Sequence, residues 1–208
     1  MRFRPITPDL LTTELAERIL GAEVPHLRVA IDGAAEATAT GELADALTGP
    51  LRVGGREVLR VSAGDFLRPA SLRFERGRTD PDSRFEDWLD TGALSREVLG
   101  PLAPGGSGEA LPALRNPVTD RARRLPRIRL GVPGVLLLDG ELLLGRGLDV
   151  DLTVHLWLSP PALERRIPPD ARWALPAYAR YEREVAPASV ADVVVRVDHP
   201  RNPAVRVR

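Results

Sequence analysis

The chain has 208 residues, 29 basic and 29 acidic side chains balancing to zero net charge, and 43% hydrophobic residues. That profile fits one folded α/β-sized domain with a sizeable core; it excludes a disordered chain and gives no reason to expect nucleic acid as the main partner. Cysteine is absent, which excludes disulfides, thiolate catalysis and cysteine metal sites, and every basic residue is arginine, so no lysine can replace one missing from a site.

Arg2 and Arg4 precede no apolar run of signal-peptide length, and no later stretch reaches about 18 uninterrupted apolar residues, so the expectation is a cytoplasmic protein without membrane contact. Residues 9–20, "DLLTTELAERIL", carry Leu10, Leu11, Leu15, Ile19 and Leu20 near helical spacing, with Asp9 as N-cap and Gly21 as stop. "LRVAID" (27–32) reads as a strand ending in Asp-Gly, and "GELADALTG" as a helix closed by Gly49 and Pro50. "EVLRVS" (57–62), "GVLLLD" (134–139), "LTVHLWL" (152–158) and "ADVVVRV" (191–197) read as further strands. Helical patterns with proline at their starts, "PPALERRI" and "LPAYARYEREV", lie between the last two.

Residues 67–130 are rich in Pro, Gly and Arg, and predict loops bordering a cleft around short helices at "RFEDWLD" and "LSREVLG". Alternating strands and helices imply a parallel sheet covered on both faces, with ligands bound beyond the carboxyl ends of the strands. Chemistry is therefore sought after Asp32, Ser62 and Asp139.

The ordered set "RVAIDG", "VSAGDFLRP", "RTDPDSRFEDWLD", "VLLLDG", "LERRIPPD" and "PASVADVVVRV", spanning about residues 28–198, resembles uridine kinase and its relatives among the P-loop kinases, pantothenate kinases included. The resemblance implies a three-layer α/β fold with a mainly parallel five-stranded sheet over the whole of 1–208. It also implies a phosphate loop after the first strand, an acid near the end of the second, and an arginine-bearing lid at about 160–185. ATP and Mg²⁺ are the implied cofactors, and a nucleoside-like small molecule the implied partner.

The loop departs from the pattern. In G-x-x-x-x-G-K-[ST], backbone N–H groups wrap the phosphates, the lysine neutralises them and the hydroxyl holds Mg²⁺. Counting forward from Gly33 puts Thr38 at the second glycine, Ala39 at the lysine and Thr40 at the hydroxyl; counting back from "LADAL" puts Thr40 at the lysine and Gly41 at the hydroxyl. Neither register holds a lysine. Glu36 adds a carboxylate to a loop that would surround a polyanion, where two unit charges about 4 Å apart repel by about 4 kcal/mol at an effective dielectric of about 20.

Elsewhere the family's proton-accepting acid falls on Gly64, with Asp65 one residue later as either a displaced base or a turn residue. Thr79 stands where the resemblance expects a ribose-binding Asp, while Asp82 matches the motif or caps a helix starting near Arg84. Arg68, Asp82 and Tyr178 are the substrate candidates, and Gly33, Thr40 and Gly41 the nucleotide candidates. Thr40 and Asp139 are the candidates for Mg²⁺. Arg165, Arg166 and Arg172 form the lid set, with Arg166 on the transferring phosphoryl; a solvated helix face is the alternative for all three.

His155 lies in an apolar strand and reads as a hydrogen-bonded core residue. "DRARRLPRIR" (120–129) reads as a solvated loop or cleft wall. Two readings of the whole follow: an MgATP-dependent phosphotransferase with an impaired site, or a catalytically inactive descendant that binds a ligand or a protein.

Overall fold

The computed structural model describes residues 2–199 and 201–207. The chain opens with edge strand β1 (Arg2–Pro5) and helix α1 (Pro8–Leu20). The cap of α1 is Thr7, whose hydroxyl accepts from the Leu10 N–H at 3.3 Å, and not the expected Asp9; Asp9 sits in the first turn, where its charge opposes the positive end of the helix. Strand β2 (His26–Gly33) leads through a turn to α2 (Thr40–Val53).

Helix α2 does not stop at Gly49 and Pro50 but runs through both to Gly54. Its buried face, Ala44, Leu47 and Leu51, continues past the proline, and burial of Leu51 holds a last turn that local propensity alone would end. Strand β3 (Glu57–Ser62) follows, ending in a 3₁₀ turn at Ala63–Phe66.

The segment expected as loops around short helices at 84–90 and 94–100 has helical turns close to both places. It holds α3 (Ala70–Arg73), α4 (Pro81–Glu86), α5 (Thr91–Leu94), a π turn at Ser95–Leu99 and the paired short strands β4 (Glu109–Ala110) and β5 (Ile128–Arg129). Leu94, Val98, Leu99 and Leu102 pack with Phe66, Leu136 and Leu138 under one face of the sheet. Three of the five arginines of the 120–129 stretch pair with carboxylates: Arg123 with Asp65, Arg127 with Glu97 and Arg129 with Glu109.

Strand β6 (Gly134–Gly140) is buried at every position, as its unbroken apolar run requires. After β7 (Leu152–Trp157) come α6 (Pro160–Arg166), a 3₁₀ turn at Pro169–Ala174, α7 (Leu175–Glu184), α8 (Pro187–Val190), β8 (Val193–Arg196) and β9 (Ala204–Val207).

The main sheet has seven strands in the order β1-β9-β8-β7-β2-β6-β3. The five expected strands, β8-β7-β2-β6-β3, are mutually parallel; β9 and β1 add an antiparallel margin that the expectation of five lacked. Helices α1 and α2 cover one face, with Leu15, Ile19, Leu47 and Leu51 against Val29, Ile31 and Val135. The carboxyl ends of β2, β3, β6 and β7 therefore converge on one rim, as the parallel arrangement dictates.

Candidate functional site

The turn after β2 starts at Gly33, where an added Cβ would lie 2.5 Å from the Thr38 hydroxyl and 3.2 Å from Leu156 Cβ, so only glycine fits. Thr38 folds back inside the turn. Its hydroxyl donates to the Ala34 carbonyl at 3.0 Å, and the N–H groups of Ala37 and Thr38 donate to the same oxygen at 2.8 and 2.7 Å. Two donors that a phosphate loop would aim at an anion are thus spent within the turn. From the lid, Arg166 Nη1 donates to the Ala37 carbonyl at 3.1 Å.

Thr40 is the first residue of α2, the arrangement that the forward count from Gly33 describes. Ala39 supplies no side-chain cap, so the first N–H groups of this 14-residue helix have no side-chain acceptor. A groove of about 610 Å³ runs over this point, lined by residues 35–39, Arg166, Val197, Pro203 and the start of α1. Arg165 and Arg172 are exposed and line neither this groove nor the cavities described below.

Asp139, at the end of β6, is buried, and its Oδ1 accepts from Arg60 Nε at 2.9 Å. Arg60 comes from β3, the neighbouring parallel strand, and its Nη1 also reaches Asp45 of α2 at 2.5 Å. The hydrogen bond to Asp139 chiefly holds its pKa above the ordinary arginine value. Gly41 makes room for it, since a Cβ there would stand 2.6 Å from Arg60 Nη2. A guanidinium therefore lies against Asp139 and the start of α2, the two places named above as candidates for Mg²⁺. Thr40 and Asp139 line one cavity, with Asp139 Oδ1 taken by Arg60, and no cluster of three or more His, Cys, Asp or Glu residues suited to a metal occurs among the described residues.

Asp65 sits in the 3₁₀ turn after β3, 3.4 Å from Arg123 Nη2. Partial burial raises its pKa, the nearby Arg123 lowers it and Asp139 raises it, with a net upward shift. Gly64, and not Asp65, lines the adjoining cavity, so the shift of one residue puts the carboxylate outside the lining.

That cavity, about 320 Å³, lies between the turn, the ends of β3 and β6, and α4. Arg84 is buried on its wall, with Nη2 at 2.6 Å from Glu141 and 3.7 Å from Glu36. Glu36 thus has a cation within reach that the sequence reading did not supply, shared with Glu141. Burial works against the Arg84 charge, but Glu141 outweighs it and the pKa ends well above the ordinary arginine value. The Tyr178 hydroxyl donates to Glu141 Oε2, and burial followed by Glu141 pushes the phenol well above its usual range. Tyr178 is therefore a buried bridge from the lid to Glu141, and its ring packs with the lid residues and lines the apolar cavity described below.

The lid is tied to α4 by further contacts. Arg180 Nη1 reaches Asp82 at 3.0 Å and Glu86 at 2.8 Å. The Arg84 guanidinium stacks 4.5 Å from the Trp88 ring and 5.5 Å from that of Trp173, and the two indoles lie 5.6 Å apart. Asp82 is thus an exposed first-turn residue paired to the lid; the cap of α4 is Asp80, which accepts from the Ser83 N–H at 2.6 Å. Arg68 pairs with Asp87 at 3.1 Å and also lies outside the cavity lining.

On the other side of the turn is a mostly apolar cavity of about 490 Å³ under α6 and α7. His155 lines it, and its Nδ1 lies 2.7 Å from Asp32 Oδ2. Tyr181 donates to the same oxygen at 3.0 Å, and Leu143 N–H donates to Asp32 Oδ1 at 2.9 Å. The expectation of a hydrogen-bonded core histidine holds, with Asp32 as its partner.

No helix among the described residues is long and apolar enough to cross a membrane. No protein-family model matches the chain, and no curated protein does either. Solved structures do match. A "possible uridine kinase" from Bacillus stearothermophilus is similar over 88% of this chain and 96% of that one, with a TM-score of 0.71 and 19% identity. A "putative fructose transport system kinase" from Silicibacter sp. TM1040 is similar over 88% and 89%, with a TM-score of 0.58 and 20% identity. What the chain shares with these proteins is architecture: it has the uridine kinase-like P-loop kinase fold.

Proposed function

We propose that this chain is a small-molecule-binding protein on a P-loop kinase-like scaffold, a pseudokinase that has given up phosphoryl transfer. The observation that carries this reading is the Arg60–Asp139 contact, a guanidinium on the carboxylate that the resemblance reserves for Mg²⁺. Three features act in the same direction: no lysine in the loop, Gly64 in place of the proton-accepting acid, and two turn N–H groups bound to Ala34. Transfer depends on positioning and on neutralising charge between phosphates, and each of these features removes a piece of that. The residues present do not fit ATP with Mg²⁺ in the way the fold family uses them.

A second reading, an MgATP-dependent phosphotransferase acting on a nucleoside-like small molecule, is favoured by one observation. The uncapped start of α2 opens into the groove beside Arg166, and a helix start with an arginine is a seat for an oxyanion. Calorimetric titration with MgATP, with GTP and metal-free ATP as controls, separates the two. The first reading expects no heat at millimolar MgATP in the natural chain, and binding after the combined change Ala39→Lys, Glu36→Gly and Gly64→Asp. A dissociation constant of about 1 μM, near −8 kcal/mol, in the natural chain together with turnover on a nucleoside panel overturns it.

A further inference from the structure

Four buried side-chain donors find no acceptor within the described protein, and three of them belong to residues that line the 320 Å³ cavity: Arg84 Nε, Trp88 Nε1 and Arg146 Nη2. An orphaned buried donor is costly, and three around one space are not a packing accident of one side chain. Arg84 is over nine-tenths buried, with a relative exposure of 7%.

The charges round the cavity are unevenly satisfied. Glu141 is held by Arg84 and Tyr178, Asp139 by Arg60, and Glu36 faces Arg84. On the cationic side, Arg73 pairs with Asp120, but Arg146 makes no ion pair among the described residues. Its guanidinium rests 4.7 Å from the Phe85 ring, with Nε donating to the Leu142 carbonyl at 3.3 Å. Burial is the main cause that pulls its pKa below the ordinary arginine value, with Arg180 acting the same way and Tyr181, Glu86 and Asp87 against it.

We propose that this cavity binds a small oxyanion, a carboxylate or phosphate group on a compact molecule, through Arg146, Arg84 and Trp88. The guanidinium of Arg146 supplies the charge, and the Nε of Arg84 and the indole N–H of Trp88 supply two further donors. An oxygen acceptor would supply the partner these donors lack within the described protein, and its negative charge suits Arg146, the arginine of the lining that makes no ion pair among the described residues. A neutral nucleoside does not do this. The proposal deepens the binding-protein reading by naming the class of ligand, and rests on it for the use of the site.

The test uses the full chain without nucleotide and three matched probes: glycerol 3-phosphate, glycerate and glycerol. Calorimetry is expected to show one or both anions binding with a dissociation constant below about 1 mM, and glycerol not binding. The stronger of the two anions identifies phosphate or carboxylate as the recognised group. Arg146→Gln is expected to weaken that anion at least tenfold, and Trp88→Phe, which keeps the ring and removes one donor, several-fold. Trp88→Phe covers the case in which Arg146→Gln does not fold. No anion binding at about 10 mM, equal binding of glycerol, or unchanged affinity in folded Arg146→Gln or Trp88→Phe protein overturns the proposal. Turnover of ATP by the natural chain would overturn the pseudokinase reading while leaving this result standing, so the two failures are distinct.

Discussion

Asp32 and His155 are register partners across the parallel β2–β7 pair, and their side chains meet at 2.7 Å between Oδ2 and Nδ1. Asp32 is fully buried and also accepts from Tyr181 and from the Leu143 N–H. Replacing it by alanine leaves three buried donors without an acceptor. Asp32→Ala is therefore expected to lower stability by about 3–5 kcal/mol in urea unfolding, and Asp32→Asn, which keeps one acceptor, by less. A loss under about 1 kcal/mol for Asp32→Ala would show that the network does not hold the rim together.

Arg60→Met removes the guanidinium from Asp139 and keeps the aliphatic stem. It is expected to cost about 2 kcal/mol and to make the protein responsive to divalent ions, with millimolar Mg²⁺ or Mn²⁺ raising the melting temperature of the variant but not of the natural chain. Equal responses in both proteins would mean that Arg60 does not stand in the ion's place.

Asp151 accepts from the side chain of Arg28 at 2.7 and 2.9 Å and from its N–H at 2.8 Å. Burial raises the Asp151 pKa, but these bonds outweigh it and leave the pKa lowered. A depressed folded pKa means stability that is present above the unfolded value, about 3.9, and lost as pH falls through the folded one. Asp151→Asn is expected to cost about 2 kcal/mol at pH 7, with the difference from the natural chain shrinking below about pH 4. A difference that persists unchanged at about pH 2.5 would contradict this.

Gly33→Ala forces a methyl group against Thr38 and Leu156, and is expected to destabilise by about 1–3 kcal/mol. Thr38→Gly vacates the nearer contact, so the double variant is expected to recover part of the loss and show a coupling energy of at least about 0.5 kcal/mol. Additive effects would place Thr38 outside the turn.

The parallel strands were legible because each carries a short apolar stretch, and β6 is unbroken from Val135 to Leu138. The antiparallel margin was not: "RFRP" and "AVRV" are short, charged and half exposed, as edge strands are, and nothing local marks them. The site shows the same division. Gly33 and Asp139 stand at strand ends and Thr40 at the start of α2, and all three could be named from position. Arg60 reads as the outward polar residue of "EVLRVS", and only the pairing of β3 with β6 brings it to Asp139. Arg146, between glycines in "LLLGRGLD", reads as a turn residue; its meeting with Phe85 depends on how α4 packs against the rim. His155 could be read as bonded, but its partner lies on a strand more than a hundred residues earlier.

The contacts of Arg84 with Trp88 and Trp173, with the Arg180 pairs to α4, bolt the lid to α4 through the protein's own side chains. A lid held by such contacts needs little of a ligand's binding energy to order it. The same bolts stand across the way out, and several must be undone together before the cavity opens. Long residence times, set by lid opening and not by the ligand's own contacts, follow from that construction.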